Sequence, residues 1–432
     1  MKRPQKHFDV IVTGAGPSGM MASITAAENG ASVLLLEKMD RPGRKLALTG
    51  HGRCNLTNIR IPDNFREAYH ENARFLTSAL HAFPPEDVRS FFAGLGLPSH
   101  EEDAGRIFPD TQSAASVCEA LEKTLKEKGV VLMTSSPVRS VLREKEMFSV
   151  TTDDTSYTSR AVILACGGRS FPNTGSAGDG YVLAGENGHT ITELSPALAP
   201  IFLSSFSDAS MDRCEDCGAE FTLAGITLPD VGASLWIGGK KKKSARGDLL
   251  FTHQGVSGPA AMPLSRYLPV SMGRYAPGQV QILIDMLPDM REEEVEEKLL
   301  SEMSKNPNRH MKRILCETFH LQEKAAVLIL SGDTMDLCAH DITREMRKKI
   351  VRNLKTGAFD IEKCTPPDIA YVTAGGVCIR EIDPKTMGSK IVEGLYFAGE
   401  VIDIDGISGG YNLQNAWSTG YVAGRSAAEY TR

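Results

Sequence analysis

The first forty residues show a strand–helix–strand pattern of apolar and small side chains. Three consecutive apolar residues at 10–12 are typical of a buried strand, and the small residues after them predict a helix that ends at Gly30. A second apolar run at 33–36 predicts another buried strand. Strand, helix and strand in this order predict a βαβ unit.

A glycine pattern occupies the turn between the first strand and the helix. Its residues are Gly14, Ala15, Gly16, Pro17, Ser18 and Gly19. The Gly-x-Gly-x-x-Gly spacing allows a tight turn, a close approach of a pyrophosphate to the backbone, and close packing of helix on strand. Free N–H groups at the helix start attract negative charge. We therefore expect these residues to bind the phosphates of a dinucleotide, in preference to forming a purely structural turn.

An acidic residue, Glu37, follows the second strand and is followed by Lys38. A carboxylate at this place accepts hydrogen bonds from ribose hydroxyl groups and disfavours a 2′-phosphate, which argues against NADP at this site. The glycine pattern alone leaves both NAD and FAD open. We include Glu37 and Lys38 among the predicted cofactor-binding residues.

The patterning changes further along the chain. The apolar run at 161–165 predicts a buried strand that ends in two glycines. From about residue 195, short β-like runs alternate with Gly, Pro and Asp turns, which predicts a β-barrel or sandwich. Residues 289–356 are rich in charge and helical in pattern, and strand-like sequence returns at 369–379. These shifts predict an α/β protein with a second, β-rich domain and a small helical subdomain.

Composition and charge weigh against several classes of protein. The chain has 432 residues and a formal net charge of −6, which gives no electrostatic case for nucleic acid or an anionic membrane. No apolar run approaches the roughly 20 residues that span a bilayer, and no secretory signal pattern precedes the first strand. Nine scattered cysteines without an export signal indicate reduced thiols. We expect a cytoplasmic protein without membrane or nucleic-acid partners, of open oligomeric state.

Two short patterns allow both a chemical and a structural interpretation. Cys214 and Cys217 have the spacing of a redox or zinc pair, but no second Cys/His pair with ligand spacing accompanies them, so we predict no metal site. Four lysines at 240–243 follow two glycines. We interpret them as the solvated tip of a hairpin, in preference to a patch for phosphate or a partner.

Several longer stretches resemble one bacterial family. They are Gly43-Arg44-Lys45 with Thr49-Gly50-His51-Gly52-Arg53-Cys54-Asn55-x-Thr57-Asn58, then Phe251-Thr252-His253-x-Gly255-x-Ser257-Gly258-Pro259, then Thr373-Ala374-Gly375-Gly376-Val377, and finally Gly399-Glu400 with Gly409-Gly410-Tyr411-Asn412-Leu413-Gln414. Together they resemble the bacterial NAD(P)/FAD-dependent oxidoreductases of the BaiN/YhiN type, which include the aminoacetone oxidase group. The resemblance extends over the whole chain.

The resemblance implies a fold and a cofactor. The fold is α/β, a Rossmann-like FAD-binding domain interrupted by a β-barrel substrate domain that carries a small helical insert. The expected segments are 1–194 and 391–432 for the FAD-binding domain, 195–288 and 365–390 for the barrel, and 289–364 for the insert. No second glycine pattern follows a strand, so NAD(P)H is expected only as a transient electron donor.

Further contacts to FAD are expected far from the glycine turn, because the isoalloxazine ring lies far from the adenine. Gly399 and Glu400 resemble the pattern that reaches the ribityl chain and pyrophosphate. The start of the last helix is expected to place N–H groups under N1 and O2 of the flavin, where reduced flavin carries negative charge. The residues of that helix start are Gly410, Tyr411, Asn412, Leu413 and Gln414.

The remaining predicted cofactor residues fall into three groups. Arg44 and Lys45 are cations suited to neutralise the pyrophosphate. The loop residues Arg53, Cys54 and Asn55 are expected beside the flavin ring, with Cys54 as a packing residue in preference to a redox thiol. The last group is expected beside the adenine and nucleotide and consists of Val138, Ala165 and Gly167.

The resemblance implies two reactions on a small or medium apolar substrate held between the two domains. The first is NAD(P)H-dependent reduction of a conjugated C=C bond in an enone such as a 3-oxo bile-acid or steroid intermediate. The second is oxygen-dependent oxidation of an amine or amino-ketone. A tRNA-modifying flavoprotein and a non-catalytic flavin sensor are alternatives of other classes. His51, His253 and Tyr411 are the candidate catalytic residues, although a lone histidine is more often structural.

Overall fold

A computed structural model of the chain describes residues 6–60, 66–204, 223–268, 272–330 and 334–432. The chain forms two compact units. The first comprises Met1–Ser195 and Ala370–Arg432 and is called the sheet unit below. The second comprises Pro196–Ile369 and is called the barrel unit. The sheet unit is therefore assembled from both ends of the chain.

The sheet unit contains strands and helices from both of its segments. Its strands are β1 His7–Thr13, β2 Val33–Leu36, β3 Thr57–Asn58, β4 Ser99–Glu102, β5 Arg106–Pro109, β6 Val131–Met133, β7 Val138–Glu144, β8 Met147–Thr152 and β9 Ser156–Leu164, and then β17 Val372–Ala374 and β18 Leu395–Phe397. Its helices are α1 Pro17–Glu28, α2 Arg66–Tyr69, α3 Thr77–Ala82, α4 Pro85–Gly94, α5 Ala114–Glu127, α6 Asp179–Glu186 and α12 Tyr411–Thr431. A short strand, β10 Ser195–Ala197, spans the chain boundary between the two units.

The central sheet contains the strand order β6-β2-β1-β9, and β9 pairs with three other strands. One edge of β9 pairs in parallel with β1 from Thr158 to Leu164. The other edge is shared, because β8 pairs antiparallel with the first half of β9 and β18 pairs in parallel with Val162–Leu164. The apolar runs predicted as strands are fully buried here, as expected for parallel strands inside an α/β layer.

Two helices of small residues, α1 and α12, pack closely in the sheet unit. A Cβ atom at Gly420 would lie 2.5 Å from the carbonyl oxygen of Ser18, and one at Gly424 would collide with the carbonyl of Ala22. The two glycines lie one turn apart on α12, so the two helix backbones meet along that face. This contact joins the N-terminal and C-terminal segments of the unit.

The barrel unit is built around a closed barrel of six antiparallel strands in the order β11-β14-β13-β12-β15-β16. Its strands are β11 Ile201–Leu203, β12 Thr227–Ile237, β13 Lys240–Thr252, β14 Gly255–Ser257, β15 Val280–Asp285 and β16 Gly357–Lys363. Its helices are α7 Met262–Ser265, α8 Glu292–Lys305, α9 Met311–Phe319, α10 Ala326–Ile329 and α11 Arg344–Thr356. Strand β15 alternates buried and half-buried residues, which directs Ile282 and Ile284 into the barrel core.

The fold class predicted from the sequence is confirmed, a Rossmann-like α/β unit interrupted by a β-barrel with helices inserted in it. The helices α8 to α11 lie between the barrel strands β15 and β16. The last barrel strand differs from the expected return at 365–390, because Gly357–Lys363 closes the barrel and residues from Ala370 onward belong to the sheet unit. The charged strand β16 follows α11 without a loop, so its pattern resembles a continuation of the helix. No helix among the described residues is both long and apolar enough to cross a membrane.

Candidate active site

The glycine turn after β1 is tight at two of its glycines and open at the third. Gly14 has a positive φ of 93°, and a Cβ atom there would lie 2.6 Å from the carbonyl oxygen of Ala165. A Cβ atom at Gly19 would collide with the carbonyl of Gly14. At Gly16, in contrast, a Cβ atom would meet nothing within 4 Å. Packing within the protein therefore requires glycine at positions 14 and 19, whereas Gly16 borders an open space.

Helix α1 begins at this open space. Gly16 is its N-cap and no side chain caps it, while Pro17 occupies the first helical position. The first-turn N–H groups of a helix have no partner inside the helix, and the helix dipole makes this end positive. An open space bordered by these donors fits a pyrophosphate group.

Glu37 ties the glycine turn to the end of β2. Its Oε2 accepts a hydrogen bond from the Ala15 N–H at 2.7 Å, and its Oε1 accepts one from the Met39 N–H at 2.9 Å. Burial raises the pKa of the Glu37 carboxyl, although these two N–H groups oppose the shift. Each oxygen retains a second lone pair, so the side chain is held in place and still able to accept from a ribose hydroxyl.

The neighbouring Lys38 is held by a different partner. Its ammonium group forms an ion pair with Asp179, the first residue of α6. Asp179 could not be assigned from the sequence, because the pairing depends on how α6 packs. Lys38 is therefore fixed beside the strand end by an acid from another part of the unit.

A polar network connects three loops at the ends of strands. The Lys45 Nζ lies 2.9 Å from Glu400 Oε2 and 2.6 Å from the Ser170 Oγ. Glu400 Oε1 accepts from the Thr373 N–H at 2.8 Å and from Ser170 at 3.1 Å. Arg44, the other predicted cation, instead pairs with Asp40 on a more exposed part of the loop. Ser170 and Thr373 join this network although sequence reasoning singled out neither as a site residue.

Gly399 brings the two ends of the unit together. Its N–H donates to the Thr419 hydroxyl of α12 at 2.9 Å, and a Cβ atom on Gly399 would collide with the Ser18 side chain of α1. Gly399, two residues after the end of β18, thus lies against the first turn of the helix that follows the glycine turn. Ala165 directly follows β9, and its N–H donates to the Thr13 carbonyl at 2.9 Å, which holds it beside the end of β1.

Val138 and Gly167 lie near the same strand ends. Val138 begins β7, and Ser136, two residues earlier, donates its N–H to the Glu37 carbonyl at 2.8 Å. Gly167 follows β9 with a positive φ of 72°, and a Cβ atom there would lie 3.1 Å from the Ser176 Oγ. Val138 is thus placed near the Glu37 end of β2, and Gly167 follows the strand that pairs with β1.

The loop after Lys45 presents one exposed histidine and one anchored arginine. His51 is exposed and has a positive φ of 57°. Arg53 donates to Glu102 Oε1 at 2.8 Å and to Gln112 Oε1 at 3.0 Å, and its guanidinium lies 4.1 Å from the centroid of the Phe108 ring. Three contacts hold Arg53 in this position, so its charge is largely committed within the unit.

Cys54 is completely buried in the same loop. Burial raises the pKa of its thiol to about 12, although the Thr49 side chain opposes the shift. A thiol with this pKa carries almost no thiolate at neutral pH. This environment matches a packing cysteine.

Asn55 carries an unsatisfied acceptor at the start of the last helix. Its Oδ1 is buried and has no hydrogen-bond partner among the described residues. A Cβ atom at Gly410, the N-cap of α12, would lie 3.0 Å from this oxygen. A buried acceptor without a donor fits a ligand that carries an N–H group, as flavin does at N3.

The other residues of the helix start support its geometry. The Tyr411 hydroxyl donates to the Arg60 carbonyl at 2.9 Å, and burial raises its pKa. Asn412 accepts from the Gly406 N–H at 2.8 Å, and the Gln414 side chain donates to the Phe83 carbonyl at 2.9 Å.

Leu413 is half-buried against the core of the sheet unit. The side chains at the helix start therefore form hydrogen bonds or packing contacts within the sheet unit. The backbone N–H groups of the first turn of α12, in contrast, lack helical partners.

His253 and the four lysines lie in the barrel unit. His253 is exposed in the turn between β13 and β14, so it does not belong to the unit that holds the predicted cofactor residues. Gly238 and Gly239 form the turn between β12 and β13, and the lysines at 240–243 begin β13 as four exposed residues. Cys214 and Cys217 lie outside the described residues.

Comparison with known proteins gives full-length matches. The family described as HI0933-like protein Rossmann domain matches residues 8–426. A 3-dehydro-bile acid delta(4,6)-reductase of Clostridium scindens is 32% identical over 97% of this chain and 98% of its own. Two ribosomal RNA dihydrouridine synthases are similar, at 30% identity over 96% of this chain and 97% of its own in Escherichia coli, and at 32% over 98% of both chains in Haemophilus influenzae.

Among solved structures, the fold resembles that of a 3-ketosteroid delta1-dehydrogenase from Sterolibacterium denitrificans. The TM-score is 0.53 at 15% sequence identity, with 98% of this chain and 100% of that chain covered. This likeness concerns the fold alone. The family match and the full-length relatives confirm the family that the sequence motifs indicated. The chain is an enzyme and belongs to the HI0933-like, BaiN/YhiN-type family of FAD-dependent oxidoreductases.

Proposed function

We propose that this enzyme reduces a C=C bond conjugated with a carbonyl group, with FAD as its cofactor and NAD(P)H as its electron donor. An enone of a steroid or bile-acid intermediate is the leading substrate. One observation carries the proposal. The relatives have different names, but each name describes the reduction of a C=C bond conjugated with a carbonyl group, and each relative matches at least 96% of this chain.

The two relative names describe related chemistry. A delta(4,6)-reductase of a 3-dehydro bile acid acts on double bonds conjugated with the 3-oxo group. Dihydrouridine forms when the C5=C6 bond of uracil, conjugated with the C4 carbonyl, takes up a hydride and a proton. In both cases a hydride adds to an electron-poor carbon of a C=C bond conjugated with a carbonyl group, and a proton adds to another carbon of the conjugated system.

The chain's residues supply positions for each part of the cofactor. We assign the pyrophosphate to the space beside Gly16 and the N–H groups of α1, and the adenine ribose to Glu37. The ring end is assigned to Asn55 and the first turn of α12, whose positive end favours negative charge. Bound FAD supplies the hydride at N5 of its ring.

His51 is the proposed proton donor. It lies in the loop whose Gly50 and Asn55 pack together, since a Cβ atom at Gly50 would lie 2.9 Å from the Asn55 nitrogen. Its side chain is exposed and so accessible to a substrate, whereas the Tyr411 hydroxyl is committed to the Arg60 carbonyl. We therefore assign Tyr411 to positioning the helix start and His51 to proton transfer.

Anaerobic reduction of the purified holoenzyme tests the reaction class. NAD(P)H is expected to bleach the flavin absorption band, and a 3-oxo-Δ4 steroid is then expected to restore it with formation of the saturated ketone. An amino-ketone that bleaches the flavin, together with no bleaching by NAD(P)H, would show that the enzyme is an oxidase and not a reductase. His51→Gln is expected to slow reoxidation by the steroid about 100-fold, with flavin reduction by NAD(P)H unchanged.

A second candidate substrate is a uracil base in RNA, and the hairpin of β12 and β13 favours it. Residues 231–247 contain the four exposed lysines and no acidic residue. The Lys243 ammonium lies 5.5 Å from the centroid of the Tyr267 ring, which places an aromatic group beside the cations. Basic strands with adjacent aromatic groups are typical of surfaces that bind single-stranded nucleic acid. The net charge of −6 weighs against this candidate.

Matched pairs of lysine variants test the RNA candidate. Binding of a ribosomal RNA fragment is measured at several salt concentrations for Lys241→Gln/Lys242→Gln and for the control Lys348→Gln/Lys349→Gln on α11. The variant Lys241→Gln/Lys242→Gln is expected to reduce the magnitude of the slope of log affinity against log salt by about 1.4, because each lost phosphate contact contributes about 0.7. Equal slopes for the two pairs, with no dihydrouridine formed in the RNA, would exclude RNA as the substrate.

A further inference from the structure

A group of three metal-binding side chains lies in the barrel unit, at the turn that precedes helix α11. Cys338, His340 and Asp341 each place one donor atom within 4.8 Å of the other two. Cys338 is half-buried, and the other two residues are exposed. Among the described residues no other group of three such side chains was found. None of the predicted cofactor residues belongs to the barrel unit, so this group is not part of the predicted FAD site.

In the neutral form of the ring, the orientation of His340 leaves its outer nitrogen, Nε2, without a proton. The Nδ1 lies 2.8 Å from the Pro307 carbonyl oxygen, which can only accept a hydrogen bond, so Nδ1 carries the proton in the neutral ring. The lone pair of Nε2 then faces Asp341 Oδ1 at 3.3 Å. Two acceptors at this distance repel each other unless a cation or a second proton lies between them. A histidine whose inner N–H donates to a backbone carbonyl is a common arrangement of metal ligands.

The turn that carries the three donors is fixed by the backbone. The Ala339 N–H donates to the Arg309 carbonyl at 2.9 Å, so the turn is attached to the loop between α8 and α9. Asp341 Oδ2 accepts from the Cys338 N–H at 3.3 Å, which leaves Oδ1 for another partner. The donor atoms therefore need only side-chain rotations to reach the separations of about 3–4 Å found around a tetrahedral zinc ion.

We propose that Cys338, His340 and Asp341 bind a divalent cation of the zinc type, with water at the fourth position. A thiolate, an imidazole and a carboxylate together select zinc over magnesium or calcium, which prefer oxygen ligands alone. On binding, the Cys338 thiol loses its proton to solvent, and bonds form from the metal to Sγ, Nε2 and Oδ1 without any change in oxidation state. This proposal replaces the expectation from the sequence that the chain has no metal site, and it does not depend on the FAD reaction.

The structural role of such an ion would be to stabilise the inserted helices. The ligands lie between α10 and α11, and their turn is hydrogen-bonded to the loop between α8 and α9. An ion that binds only the folded turn raises the stability of the folded insert by mass action. The alternative explanation is that Cys338 and Asp341 merely cap the short 3₁₀ turn of residues 339–341.

Titration of the tag-free full-length protein with Co²⁺ and then Zn²⁺ distinguishes the two explanations. The site predicts one Co²⁺ per chain, a thiolate-to-cobalt charge-transfer band, displacement by Zn²⁺, and a melting temperature several degrees higher with Zn²⁺. Cys338→Ser is expected to abolish the charge-transfer band, and His340→Gln to weaken Zn²⁺ binding at least 10-fold. Cys316→Ser, at a half-buried cysteine on α9, is the matched control and should retain the charge-transfer band and the affinity for Zn²⁺. A charge-transfer band that persists in Cys338→Ser, or no thiolate band in the unchanged protein, would overturn the proposal.

Discussion

Lys45 and Glu400 are 355 positions apart in the sequence, and their side chains form an ion pair with a separation of 2.9 Å between Nζ and Oε2. Both side chains are about three-quarters buried, and the hydroxyl of the fully buried Ser170 bonds to both. The pair joins the loop after β2 to the loop after β18. It therefore fixes the relative position of two segments to which we assign different parts of one cofactor.

Substitution Lys45→Met tests this pair. It leaves the Glu400 carboxylate with the Thr373 N–H and Ser170 but without its cation, and removing one partner of a partly buried pair costs about 1–3 kcal/mol. We expect FAD affinity to fall by about 10-fold or more, measured by titration of the apoprotein with FAD.

Arg44→Gln is the control, because it removes one positive charge from the same loop and leaves the pair of Lys45 with Glu400 intact. Its pair with Asp40 is more exposed, and such pairs contribute about 0–1 kcal/mol. Equal losses in the two variants would mean that the positive charge of this loop matters and the contact with Glu400 does not.

Alanine substitutions at Gly16 and Gly19 separate cofactor binding from folding. A Cβ atom at Gly16 meets nothing within 4 Å, so Gly16→Ala is expected to keep the melting temperature of the apoprotein while FAD binding is reduced at least 10-fold. Gly19→Ala is expected to lower the melting temperature itself, because its Cβ atom collides with the Gly14 carbonyl. Unchanged FAD affinity in Gly16→Ala would show that the pyrophosphate does not approach the backbone at Gly16.

The buried His189 predicts a loss of stability in mild acid. Burial lowers the pKa of this imidazole from the ordinary value of 6.5, and the nearby Glu381 opposes the shift only in part. Below pH 6.5 the unfolded chain therefore takes up the proton first, so stability falls as the pH decreases toward the pKa of the folded state. The slope contributed by this residue is at most about 1.4 kcal/mol per pH unit.

Urea unfolding at pH 7.5 and pH 5.5 measures this effect. His189→Asn is expected to be less stable at pH 7.5, because it loses the contact between Nε2 and the Ser389 hydroxyl at 2.8 Å. It should also lose less stability than the unchanged protein between the two pH values. Parallel curves for the two proteins would show that His189 does not titrate between the folded and unfolded states.

Cys54 is predicted to resist thiol reagents in the folded protein. Its side chain is fully buried and its pKa is raised to about 12, so at pH 8 almost no thiolate is present. Alkylation with iodoacetamide, followed by peptide mass spectrometry, should leave Cys54 unmodified in buffer and modify it in urea. Rapid modification in buffer would instead support a redox role for this thiol.

The parts of the site that depend on local spacing could be predicted from the sequence. The turn from Gly14 to Gly19 and the position of Glu37 are set by a strand, a helix and a second strand that follow each other directly. The same holds for Gly410 at the start of α12. In each case a few consecutive residues determine the backbone geometry, so their pattern carries the information.

The contacts that depend on packing between distant segments could not be predicted. Nothing in the sequence assigns Asp179 to Lys38 or Glu400 to Lys45, because each pairing results from the way loops meet at the ends of the sheet. The barrel strand Gly357–Lys363 was missed because only Ile361 within it is buried and α11 continues directly into it.

The shared edge of β9 has a consequence for how the protein is synthesised. Strand β18 and helix α12 belong to the last segment of the chain, whereas the barrel unit, Pro196–Ile369, is continuous and leaves the ribosome before them. The barrel can therefore fold during translation, while the second half of β9 keeps an unpaired edge and the side of α1 that packs against α12 remains uncovered. In a nascent chain that stops short of β18, this edge is open to pairing with another polypeptide.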